Sequence, residues 1–248
     1  MQVSAILRRV AAAVTVLVLV GTTFLAGRTR HTGTAHAASA DKATGVFLQD
    51  KGKLNILLSG KSVGREEFSI EPAGAVWLAR GKSSLQTADG KSAVVSGTLT
   101  LQPDGSPVSY DWIYQGEKTN TAHVSFANGV AKTALQIQGA TQPFNQENSF
   151  NSTHIVVLDN NLYHQYAILA RVYDWSKRGP QTFPVLIPQE LTPGTITVDW
   201  LGAVSAEGKS YEGLKVETAD LQVTLYLDAN RKLVRLEVPT AQVVVVRE

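Results

Sequence analysis

Three histidines, a few paired carboxylates and a set of alternating aromatic residues are the side chains of this sequence that chemistry could use. His154 follows Ser152 and Thr153, the residue types of a base and its nucleophile. Neighbours on a strand point to opposite faces, so adjacency in sequence makes no dyad, and a polar strand end is expected there. Beyond the first forty residues only His123, His154 and His164 remain, and none shows a His-x-His or His-Glu-x-x-His spacing. No metal site and no cofactor are therefore expected. His164 sits between Tyr163 and Gln165 and reads as an ordinary half-buried histidine. Two carboxylates facing each other could hydrolyse a glycosidic bond. Glu66 and Glu67, however, are neighbours and should point opposite ways. Asp159, Asp174 and Asp199 read as a helix cap, a helix end and a polar strand face. No catalytic residue is assigned.

The aromatic pattern is more pointed. Tyr110, Trp112 and Tyr114 alternate, as do Ile196, Val198 and Trp200, and as do Leu221, Val223, Leu225 and Leu227. Each set projects from one face of one strand. On a bent sheet these faces either line an apolar cavity or fill a dry core. Tyr110, Trp112, Tyr114 and Trp200 are the candidate ligand-binding residues of the first reading. The ligand would be a lipid or another apolar molecule.

The elements that must position them follow from periodicity. From Lys53 onward apolar residues alternate with period two between Gly, Asp and Asn turns. Strands are expected at Leu54–Leu58, Val63–Ile70, Ala75–Gln86, Ala93–Leu101, Val108–Gln115, Thr121–Phe126 and Val130–Gln138. After a break they resume at Thr182–Ile187, Thr195–Val204, Tyr211–Thr218, Leu221–Leu227, Lys232–Val238 and Gln242–Val246. Asn128-Gly129 is a hairpin signal, and the short connections make neighbouring strands antiparallel. Between the two runs, Leu158, Leu162, Tyr166, Leu169 and Tyr173 recur at helical spacing. They predict one helix from Leu158 to Lys177, capped by Asp159 and stopped by Gly179-Pro180. One helix among more than ten strands does not make a doubly wound fold. The expectation is a mainly β protein: a large bent antiparallel sheet or partly closed β-barrel with one central helix packed on it. Two sheets packed as a sandwich is the alternative. The hairpins at Thr98–Val108 and Thr224–Val234 resemble each other, so a duplicated half joined by the helix is a further reading.

The first forty residues read as a targeting segment. Arg8 and Arg9 precede the uncharged apolar run from Val10 to Ala26, and Ala35-His36-Ala37 and Ala38-Ser39-Ala40 offer cleavage sites. An uncleaved anchor at residues 10–26 is the other reading, since 17 residues lie at the short end of a bilayer span. Membrane contact is expected only through that segment. Both readings place residues 41–248, as a single β-rich domain, outside the cytoplasm. Four of the 23 basic residues and none of the 21 acidic ones lie in the first forty. The remainder therefore carries 19 basic side chains against 21 acidic, and a nucleic-acid partner loses its electrostatic argument. The chain has no cysteine, which excludes disulfides, thiol catalysis and a lipoprotein-type lipid anchor.

The segment Gly60-Lys61-Ser62-Val63-Gly64-Arg65-Glu66-Glu67-Phe68 resembles the start of exported bacterial β-proteins of unknown function. In these a glycine, a polar pair and Val-Gly-x-Glu open a long meander. Leu225-Tyr226-Leu227-Asp228 followed by Leu233-Val234-Arg235-Leu236 resembles their end, and the likeness spans Gly45 to Glu248. The architecture is also similar in shape to envelope lipoprotein carriers, whose bent sheet holds acyl chains against a helical lid. Those carriers have an early helix and several lid helices, where this chain has one. Together these readings imply a non-enzymatic envelope protein binding an apolar or amphipathic ligand. A filled-core interaction module and a hydrolase with an unrecognised site are the alternatives.

Overall fold

The computed structural model describes residues 45–86, 90–189, 191–218 and 221–248. The targeting segment and its cleavage sites lie outside the described residues. The expected bent sheet is present. Fifteen strands form one sheet: β1 (Asp50–Leu58), β2 (Lys61–Ala73), β3 (Val76–Gln86), β4 (Ser92–Leu101), β5 (Pro107–Gln115), β6 (Thr119–Ala127), β7 (Val130–Ile137), β8 (Phe144–Ser149), β9 (Val156–Val157), β10 (Gln181–Ile187), β11 (Thr192–Ala206), β12 (Lys209–Glu217), β13 (Gln222–Leu227), β14 (Leu233–Val238) and β15 (Val243–Arg247). The helix α1 (His164–Val172) lies between β9 and β10.

The chain enters the sheet at its middle. β1 to β8 meander outward to one edge, and the chain then crosses to β9 at the other edge and passes through α1 to β10. From there β10 to β15 meander back until β15 pairs with β1. Every pairing is antiparallel except β9 with β10, where Val156 and Val157 run parallel to Val185 and Leu186. That exception follows from the helix, because parallel neighbours need a crossover and α1 supplies it. The turns obey their chemistry. Asn128 and Gly129 take φ of 52° and 75°, the left-handed pair of a tight hairpin whose twist matches its strands.

The alternation seen in the sequence sorts the faces. Ala93, Val95, Gly97, Leu99 and Leu101 of β4 are buried while Val94, Ser96, Thr98 and Thr100 between them are half-exposed. The inward sets from all parts of the sheet join one core. Three elements depart from expectation. β8, with the sequence FNQENS, and the two-residue β9 were not predicted, because neither shows apolar alternation. The helix is nine residues long, not twenty. The chain before it is held by tertiary contacts instead. Leu158 N–H donates to Leu186 O at 3.2 Å, and Asn161 is left-handed at φ 72°. Beyond it Tyr173 is extended, with ψ 129°. Leu158, Leu162 and Tyr173 are still buried, so the helical spacing marked a buried segment longer than its helix. Among the described residues no helix is long and apolar enough to cross a membrane.

Candidate functional site

Two groupings in the interior carry chemistry, and both are organised by α1. The first is a buried polar clasp at its start. Glu66 and Glu67 on β2 do point opposite ways: Glu67 lies in solvent, 2.7 Å from Lys53 Nζ, whereas Glu66 is fully buried. A helix start has N–H groups without intrahelical partners, and the N-cap Tyr163 supplies no side-chain cap. The Glu66 carboxylate fills that role from another element. Its Oε2 accepts Tyr163 N–H at 2.6 Å and its Oε1 accepts His164 N–H at 3.3 Å. Oε1 also meets His164 Nδ1 at 2.5 Å. The helix N–H groups and the imidazole supply the hydrogen bonds that a carboxyl group needs when it is buried. His164 is 1% exposed and not half-buried.

Close approach requires glycine on the facing strands. A Cβ on Gly81 would come within 2.4 Å of the His164 ring, and one on Gly97 within 2.7 Å of Leu162 Cδ1 and Tyr110 Oη. Gly81 and Gly97 are paired across β3 and β4, so together they form a furrow that seats Leu162 and His164. Ser83 Oγ–H donates to Asn161 O at 2.5 Å, fixing the same stretch. Asp159, expected as the helix cap, instead accepts the Tyr110 hydroxyl. Its backbone N–H donates to Gln165 Oε1 at 2.5 Å. Burial pushes the Asp159 carboxyl well above the ordinary carboxylate range, opposed by the Tyr110 hydrogen bond and aided by Glu66. Burial likewise raises the Tyr110 hydroxyl well above its usual value. His164 Nε2, Asp159 Oδ1 and Gln165 Nε2 are buried without a protein partner. A histidine held at Nδ1 by a carboxylate has the form of a general base, but this one opens the helix with its side chain buried and presents no surface to a substrate.

The second grouping is a cavity of about 430 Å³ between β4, α1, β10 and the chain around His154. Its floor is aliphatic: Leu99 and Leu101 from β4, Ile168 and Leu169 from α1, and Ile155 and Val157, all buried. Its rim is polar, with Asp104, His154, Asp174, Lys177 and Gln181. The rim groups are tied to one another. Ser106 Oγ lies 3.1 Å from His154 Nδ1, and Ser106 N–H donates to Asp104 Oδ1 at 2.9 Å. The Asp174 carboxylate accepts Ser176 Oγ–H at 2.6 Å and Lys177 Nζ at 3.0 Å. These bonds hold it down at about 2. The Gln181 amide is matched to the backbone of Asp174 at 2.8 Å in both directions.

The sequence-derived residues are placed as follows. Tyr110, Trp112 and Tyr114 share the inner face of β5 and are 0%, 6% and 7% exposed. Trp112 stacks on Tyr114 with centroids 6.3 Å apart. Trp200 lies on β11 beneath the Arg178 guanidinium, 4.4 Å from its ring centroid. None of the four lines the 430 Å³ cavity, whose floor on this side is the neighbouring strand β4. Sequence reasoning passed over Leu99 and Leu101, although their alternation was as legible as that of Tyr110 and Trp112. The pairing of His154 with Ser106, 48 residues away, had no local signal. One spelling of a nucleophile elbow was also passed over, Gly60-Lys61-Ser62-Val63-Gly64. Such an elbow needs a strand-to-helix turn. Here Gly60 and Ser62 lie in the β1–β2 hairpin, and Ser62 Oγ–H donates to Asn55 Oδ1 at 2.6 Å.

No family model and no curated protein matches the sequence. Among solved structures the fold is similar to a β-barrel-like protein of the domain of unknown function DUF1849 from Brucella abortus. That protein is 9% identical, with a TM-score of 0.52, and the match covers 81% of this chain and 94% of that one. A DUF1089 family protein from Pseudomonas aeruginosa, 11% identical, matches 72% of this chain and 90% of its own at a TM-score of 0.46; a score that low supports no argument. At such identities the likeness to the first extends to the fold: this chain is a β-barrel-like sheet of the kind found in domains of unknown function.

Proposed function

We propose that this protein is an exported, non-enzymatic envelope protein that binds one apolar or amphipathic, lipid-like ligand in the cavity between α1, β4 and β10. The carrying observation is the cavity itself: about 430 Å³, with a buried aliphatic floor and a polar rim. That size and lining fall within the range of small-molecule sites, which run from roughly 300 to 1,000 Å³ and orient their ligands by a few polar groups. The support for export is the apolar run from Val10 to Ala26 and the cleavage motifs after it.

Native mass spectrometry of the protein recovered from the producing cell tests both parts. The expected result is a chain beginning at Ala38 or Asp41, carrying a stoichiometric solvent-extractable ligand. The Leu99→Phe variant, which adds volume from the floor, should lose that ligand while keeping its far-ultraviolet circular dichroism. A bare mass for the wild type, unchanged after incubation with envelope lipids, would sink the binding reading.

One observation favours a hydrolase instead, the 3.1 Å contact of Ser106 Oγ with His154 Nδ1 at the rim. The amides around that serine are already engaged, since Gly105 N–H donates to Gln102 O at 3.0 Å and Ser106 N–H to Asp104 Oδ1. The serine's own amide and the one before it are therefore not offered to a tetrahedral oxyanion, so the pair is better read as a clip between the β4–β5 turn and the chain before β9.

A further inference from the structure

We infer that the cavity selects a single-chain amphiphile with a neutral or cationic head over one with an anionic head. This inference rests on the binding reading above and adds the charge of the ligand to it. The rim decides it. The charged side chains lining the cavity are Asp104, Asp174 and Lys177, with His154 beside them. Lys177 is the cation an anionic head would need, and it is already spent, 3.0 Å from Asp174 Oδ2. Arg178, next along the chain, lies over the Trp200 ring at 4.4 Å. The Gln181 amide, a possible neutral donor, is matched to the Asp174 backbone. His154 Nδ1 is shared with Ser106. Asp104, by contrast, sits on the exposed turn with one carboxylate oxygen holding Ser106 N–H. The mouth therefore holds two carboxylates against one committed ammonium.

The floor fixes the rest of the ligand. Ile168 and Leu169 face Leu99 and Leu101 across the space, giving room for one chain and no polar partner along it. A ligand that buries its chain there must leave its head at the rim. An anionic head would meet two carboxylates and one ammonium already balanced by Asp174, so the repulsion of Asp104 is left unopposed. A cationic head gains Coulomb energy, and a hydroxylated neutral head can donate to Asp104.

The test is competition for a bound fluorescent probe by three amphiphiles of equal chain length near pH 8: dodecyltrimethylammonium, monolauroylglycerol and dodecanoate. The ammonium and the glycerol ester should displace the probe at concentrations on the order of tenfold below dodecanoate, the size expected for a net unit charge a few ångströms away near a surface. Raising the salt concentration should narrow the gap for the ammonium, as exposed charges are screened. Asp104→Asn should lift dodecanoate toward the glycerol ester, and Asp104→Asn with Asp174→Asn should abolish the preference. Asp174 also organises the turn after α1, so the single variant and the salt series carry the test if the double variant unfolds. Dodecanoate binding as tightly as the others to the wild type overturns the charge inference and leaves a ligand-binding cavity. Failure of all three to displace the probe removes the binding reading itself.

Discussion

Two carboxyl groups are buried at the start of α1, among different partners. Glu66 accepts helix N–H groups and meets His164 Nδ1. Asp159 has Tyr110 as its hydroxyl donor and leaves Oδ1 without a partner, and burial raises its proton affinity well above normal. Only half of this was legible in sequence. Adjacency told that Glu66 and Glu67 face opposite ways, but the N–H group that Glu66 accepts lies 97 residues on. The shift at Asp159 has a consequence for stability whose sign is fixed. Below about pH 4 an ordinary aspartate is protonated in both states and contributes no dependence. Above it the unfolded chain releases the proton and the folded chain keeps it, so the folded state binds more protons and its stability falls as pH rises. The fall continues until the raised folded value is reached. Asp159→Asn keeps an acceptor for Tyr110 and removes this titration. In urea titrations the variant should gain on the wild type by up to about 1.4 kcal/mol per pH unit between pH 4 and neutrality. A difference that stays flat across that window would mean Asp159 is ionised in the fold.

At the scale of elements, what was legible was what the hydrophobic pattern controls. The alternating strands were placed because each buries one face, and the Asn128-Gly129 turn because its backbone demands those residues. What was hidden is held by tertiary contact. α1 was overestimated because Leu158, Leu162 and Tyr173 are buried by irregular chain at helical spacing. The furrow under it had a signal that went unread: Gly81 and Gly97 stand inside strands, where glycine weakens the ladder unless something must come close. β8 had no such signal. Its residues are Phe144, Asn145, Gln146, Glu147, Asn148 and Ser149, and it pairs on one side only, with β7. Its link toward the far edge of the sheet is a side-chain contact, Gln146 Nε2–H to Leu191 O at 2.7 Å. β13 is the opposite case, flanked by β12 and β14 with Val223, Leu225 and Leu227 buried. Local opening follows such differences in burial and pairing. Hydrogen exchange followed by mass spectrometry should show the β8 amides exchanging orders of magnitude faster than those of β13. Equal protection would mean that the two edges of the sheet are sealed in solution.

The whole molecule is a sheet whose last strand lies in its middle. β15 pairs with β1 from Leu54–Arg247 to Leu58–Val243 and with β14 on its other side. It is the sole ladder joining the β1–β8 meander to the β10–β14 meander within the described sheet. Val243 and Val245 bury 99% of their surface in the common core. At its end Arg247 grips the buried Asp50 of β1 through both guanidinium nitrogens, at 2.6 and 3.0 Å. Lys232 Nζ stands 3.6 Å from the same carboxylate, so Arg247 is the nearer of two cations that hold Asp50 in the fold. Terminal segments usually tolerate truncation, but a strand with two partners and a buried face cannot be lost without exposing two edges and the core between them. Deleting residues 243–248 should therefore abolish cooperative unfolding altogether, where deleting an edge such as β8 would leave a residual transition. The intact protein should unfold in one step, with the calorimetric enthalpy equal to the van't Hoff enthalpy. Two resolved transitions in the wild type, or a sharp melt in the truncated chain, would mean that each meander holds its own core and that β15 fastens together two independent units.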